Sequence, residues 1–219
     1  MSDVVKGFLT VLVSTVLSIG LGALGFIAGN DVGTAILIAA AIFGLLYGLE
    51  TGVLVSYDLG GGLGWLQLLV DLTWSLPNTI FGFLIGNSIY IFFGSPSRAE
   101  SRYQGWVVFM PRGTSGFGHD VLQTFGTVNL GGAGQHERMH LLQARIFGPL
   151  YLPLFLCFYI VTSLMQLLWT ATLGAILYAV KIRTTAYLTP PAHSAVSGFL
   201  GWIYYATPFE LWAYAAGNP

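Results

Sequence analysis

The sequence predicts a mainly α, polytopic membrane protein: a helical transmembrane bundle with a small β-hairpin and an HExxH helix at the membrane surface. Three observations predict it. Hydrophobic residues fill 55% of the 219 positions, charged residues only 8%, and mean hydropathy is +0.73. A soluble domain carries about 25% charged residues, so this chain has too few charges to coat a water-exposed surface. The apolar residues also gather in blocks long enough to cross ~30 Å of hydrocarbon. Finally, polar residues concentrate in one internal region, 94–146, which holds Arg98, Arg102, Arg112, Arg138 and Arg145.

In the first block, residues 4–28, Lys6 before an apolar run suggests a signal peptide, but the run from Gly7 to Ala28 is longer than an h-region. It reads as a retained transmembrane helix. A short polar turn, "GND" at 29–31, leads to a second span at 33–56. The third block, 61–93, exceeds one span and contains Asp71 and Pro77. It reads as one kinked helix or as two pieces broken at the proline. The many glycines inside these blocks point to close helix packing.

Residues 94–146 form the extramembrane region. "YQGWVVFM" (103–110) reads as a strand, "PRGTSGFG" (111–118) as turn chemistry, and "HDVLQTFGTVNL" (119–130) as a second strand. Together they predict a hairpin that leads through Gly131–Gly134 into a helix. Residues 147–183 form an apolar hairpin or a membrane helix. Residues 184–219 form an interfacial C-terminal segment that ends in a helix at "PFE", with Pro208 at its first position and Glu210 in its first turn. Trp65, Trp74, Trp202, Tyr204 and Tyr205 suit interfacial belts.

The motif that carries chemistry is His136-Glu137-Arg138-Met139-His140. Histidines four apart share one helix face, so His136 and His140 can bind one Zn²⁺. Glu137 lies beside them as the general base that accepts a proton from the attacking water. Gln143, one turn on, can support the ligands from outside. The only cysteine, Cys157, lies in an apolar run, so a zinc site here must use histidine and carboxylate. The third ligand is open among Glu210, His119, Asp120 and His193.

These residues resemble the HExxH zinc metallopeptidases of the glutamate-zincin kind. More closely, they resemble a bacterial membrane-associated group. In that group an HExxHxxQ helix runs into a Gly-Pro step, with Pro-Phe-Glu-x-x-Ala-Tyr further on. Here the matching residues are His136, Glu137, His140, Gln143, Gly148-Pro149 and "PFELWAYA" (208–215), with "GHDVL" (118–122) upstream. The likeness covers about residues 116–153 and 207–215. It implies Glu210 as third metal ligand, a peptide or membrane-protein substrate, and a bacterial inner (cell) membrane location. The chain departs from the pattern in having Thr207 before Pro-Phe-Glu and no later acid on that helix.

If Glu210 joins His136, residues 184–219 must share a membrane side with 94–146. The block 147–180 must then return, with a turn expected near "TSLMQ" (162–166). A second reading is a non-catalytic accessory or scaffold subunit of a membrane protein complex, with a structural or vestigial motif. A third is a small transporter built on Glu50 and Asp71. In every reading the lipid bilayer is a partner. Nucleic acid is not, because a net charge of −1 offers no basic field.

Overall fold

The computed structural model describes residues 1–113, 123–132, 134–190 and 198–217. The chain forms two compact units. One comprises Met1–Ala133 with Ala144–Pro149, the other Gly134–Gln143 with Leu150–Pro219.

The first unit opens with two long helices, α1 (Asp3–Ala23) and α2 (Asn30–Leu54), joined through a 3-10 turn at Leu24–Ala28. They run antiparallel along a seam of small residues. α1 buries Gly7, Thr10, Ser14, Ser18 and Gly22, and α2 meets them with Gly44, Gly48 and Gly52. A Cβ on Gly7 would lie 2.5 Å from the Gly52 carbonyl oxygen, and one on Gly44 would lie 2.6 Å from that of Ser14. The large side chains Phe8, Leu12, Val16, Ile42 and Leu45 face outward. Small residues inside and large apolar residues outside reverse the soluble pattern and suit helices that associate by close backbone contact in lipid.

The block 61–93 is broken. It forms α3 (Gly62–Leu72), α4 (Leu76–Phe81), one π turn at Gly82–Gly86, and α5 (Asn87–Phe93). The break precedes Pro77, which sits in the first turn of α4, where its missing N–H costs no helix bond.

A four-stranded sheet follows: β1 (Gly94–Pro96), β2 (Val107–Pro111), β3 (Gln123–Phe125) and β4 (Val128–Leu130), with the short helix α6 (Arg98–Ser101) after β1. Its spatial order is β1-β2-β4-β3. The expected hairpin between 103–110 and 119–130 is therefore corrected. β2 and β4 pair in parallel, Val107 opposite Val128, whereas the tight antiparallel hairpin is β3–β4. Gly126 turns that hairpin at φ +53°, and a Cβ there would collide with the Asn78 carbonyl oxygen. Val107, Phe109, Val128 and Leu130 pack with Leu54 and Tyr90 as one core of this unit.

The second unit takes α7 (Gln135–Phe147) as far as Gln143, then α8 (Tyr151–Ala171), α9 (Leu173–Ala179), α10 (Gly198–Tyr205) and α11 (Pro208–Ala216). The turn expected at 162–166 is absent: α8 runs through it. Thr162 bonds back to the Phe158 and Tyr159 carbonyls, so a polar residue sits inside the helix without breaking it. The helix breaks at Thr172 and continues as α9; the chain comes back only beyond it, past Lys181 at φ +58°, with the Ala186 carbonyl against Gly174. Buried Gln166 receives the returning chain, donating to the Leu188 and Phe199 carbonyls and accepting from the Leu188 N–H at 3.0 Å.

Among the described residues, four helical runs are long and apolar enough to cross a membrane: Asp3–Ala28, Asn30–Leu54, Leu76–Phe93 and Gln135–Ala179.

Candidate metal centre

The centre lies within the second unit. α7 buries His136, Glu137, His140, Leu141 and Gln143 and leaves Arg138 and Leu142 exposed, which is the stripe a helical period makes. α11 begins at Pro208, with Thr207 in extended conformation before it, so Glu210 falls in its first turn. Phe209 packs on Tyr151 (ring centroids 5.1 Å apart) and Phe158 (5.2 Å), which seats α11 against α8.

Three ligand atoms converge. His136 Nε2 and His140 Nε2 are 3.1 Å apart, and Glu210 Oε2 lies 3.3 Å from the first and 3.5 Å from the second. Tetrahedral ligands held ~2.0–2.1 Å from one ion lie about 3.3 Å from each other. The triangle therefore has the dimensions of one face of such a site. All three side chains are buried, and Glu210 Oε2 has no well-formed hydrogen bond among the described residues. A buried carboxylate oxygen left this way and aimed at two imidazole nitrogens is a place for a cation. The His136, His140 and Glu210 group can hold a metal ion.

Burial on its own would raise the Glu210 carboxyl, but His136 and His140, facing it, outweigh burial and hold it at about 2. It is therefore an anion at neutral pH. The Glu210 carboxylate also acts on the Tyr159 and Tyr204 hydroxyls. Burial first, then the Glu210 charge, pushes the Tyr204 phenol upward, which keeps it an O–H donor. The Tyr214 ring lies 4.3 Å from that of His136, and Tyr205 lies 5.0 Å from Tyr214. Glu137 is 3% exposed and its charge acts on both His140 and Tyr151.

The structure thus brings together the two motif histidines and Glu210, with Glu137 and Gln143 on the same helix. The other ligand candidates, His119, Asp120 and His193, lie outside the described residues, as does the upstream "GHDVL" segment. Glu50 and Asp71 belong to the first unit and have partners there. Glu50 accepts from Asn87 at 2.9 Å, and Asp71 binds Arg145 and Tyr57. Sequence reasoning missed Tyr159 and Tyr214 and read Tyr204 as an interfacial anchor. The available signal was the aromatic spacing Tyr151, Phe155, Phe158, Tyr159, which marks one face of α8.

Comparison with protein-family models, with curated proteins and with solved structures returns no match.

Proposed function

We propose that the chain is a membrane-embedded zinc-dependent metallopeptidase, acting on peptides or membrane-protein segments. The observation that carries this is the buried triangle of His136 Nε2, His140 Nε2 and Glu210 Oε2, 3.1–3.5 Å on a side, two of its corners on the helix α7 that also presents Glu137. Two imidazoles and one carboxylate suit zinc better than calcium or magnesium, which take oxygen ligands. When bound, zinc supplies a Lewis acid that polarises a scissile carbonyl and makes water acidic enough to attack near neutral pH.

The chain's own residues do the rest. His136, His140 and Glu210 would hold the ion. Glu137 is the general base: it accepts a proton from the attacking water and hands it to the leaving amine. The centre is shielded from bulk water, which strengthens each charge interaction within it. The four apolar helical runs and the outward-facing large side chains of α1 and α2 support insertion in a bilayer. The resemblance points to a bacterial inner membrane.

The test is zinc content by elemental mass spectrometry for wild type, His140→Ala and Glu210→Ala, beside peptidase assays of wild type and Glu137→Gln. About one zinc per wild-type chain is expected, lost in both ligand variants. Glu137→Gln should keep its zinc and lose at least ~10²-fold in rate. Wild type that takes up no zinc from supplemented buffer removes the proposal.

A further inference from the structure

We infer that Gln143 is a positioning residue: one buried side-chain amide selects which nitrogen of His140 faces the ligand triangle and ties Glu210's helix to the motif helix. The inference rests on the metal-centre reading for its purpose, but its geometry stands apart from any ion.

Gln143 is fully buried. Its Nε2 lies 2.8 Å from the Phe209 carbonyl oxygen and its Oε1 lies 3.0 Å from His140 Nδ1. The orientation of this amide is forced. A carbonyl oxygen can only accept, so the NH₂ end must face Phe209; the flipped amide would set two acceptors against each other. The amide oxygen is then left facing His140 Nδ1, and only an N–H there makes a bond. A neutral His140 must carry its proton on Nδ1, which leaves the Nε2 lone pair directed at His136 Nε2 and Glu210 Oε2. The hydrogen bond at one ring nitrogen thus decides the chemistry at the other.

The second bond works on another ligand. Phe209 immediately precedes Glu210 in the first turn of α11. Holding its carbonyl fixes that turn against α7, on the face that carries His140, because Gln143 stands three residues further along the same helix. A single side chain therefore constrains two of the three ligands. His136 has no such aid: its Nδ1 is buried without a hydrogen-bond partner among the described residues, and the Tyr214 ring steadies it by packing.

The experiment has two readouts. Solid-state NMR of metal-free protein in lipid, with ¹⁵N-labelled histidine and His140→Ala for assignment, reports protonation of His140 Nδ1. A proton on Nδ1 in wild type is expected, kept in Gln143→Glu, whose carboxyl still accepts, and lost from a large share of Gln143→Leu. A bare Nδ1 in wild type overturns the inference. Zinc affinity by chelator competition is the second readout: Gln143→Leu should bind about 10–100-fold more weakly, and an unchanged affinity overturns the role toward the metal. If wild type binds no zinc, the function proposed above fails, while Nδ1 protonation still decides the inference about Gln143. If Gln143→Leu does not fold, the wild-type spectrum decides it alone.

Discussion

Arg145 clamps Asp71 with two parallel hydrogen bonds, Nε to Oδ1 at 2.8 Å and Nη2 to Oδ2 at 2.7 Å. Asp71 is wholly buried, and Tyr57 donates to it as well, at 2.7 Å. The same guanidinium donates to the Gly105 carbonyl. The carboxylate that the sequence offered to a transporter reading thus has both oxygens paired. Removing one partner leaves a charge buried alone, which costs about 3–5 kcal/mol. Arg145→Leu should lower the unfolding midpoint in detergent sharply, and adding Asp71→Leu should recover part of the loss. A single variant as stable as wild type would mean that the pair contributes nothing.

The α1–α2 seam predicts a contrast between glycines in similar sequence surroundings. A Cβ on Gly7 or Gly52 would meet opposing backbone at 2.5 and 2.7 Å, while one on Gly20 meets nothing within 4 Å. Gly7→Ala and Gly52→Ala should each lower thermal stability by about 1–3 kcal/mol, the usual cost of overpacking. Gly20→Ala should be neutral or slightly stabilising. Equal behaviour of all three, measured by unfolding in the same detergent, would contradict the seam.

Asp58 sets a small acid dependence. The Lys6 ammonium hydrogen-bonded to it, and then the Gly60 N–H, hold its carboxyl below the ordinary carboxylate value. Because the folded value is depressed, its stabilising contribution is present above the unfolded value of ~3.9 and fades as pH falls through the lower folded one. Asp58 is 46% exposed, so solvent and salt screen the effect. Stability of Asp58→Asn relative to wild type should converge below about pH 3. A difference that stays constant from neutral pH to pH 2 would rule out the ion pair as its source.

Metal should stabilise the fold. An ion that binds only the folded chain adds about 2.7 kcal/mol when its free concentration is 100 times Kd. Stripping with chelator should lower the midpoint of wild type, and restoring zinc should return it. Glu210→Ala should show neither response. A wild-type midpoint indifferent to chelator and to added zinc would count against a metal at the centre.

The sequence by itself determined which segments are apolar helices and what lies on one face of each. The hydropathy runs marked α1 and α2, Pro77 marked the break before α4, and four-residue spacing set His136 and His140 side by side. Those features are local, because helical geometry converts spacing directly into direction. The resemblance pointed to Glu210, but only tertiary structure brings it against the motif histidines. Tertiary structure also paired β2 in parallel with β4, put Gln166 to use in receiving the returning chain, and matched Asp71 with Arg145. Each of these joins residues far apart in sequence. Periodicity tells which way a side chain points, whereas the group it meets depends on how the whole chain packs and which buried polar atoms must find partners.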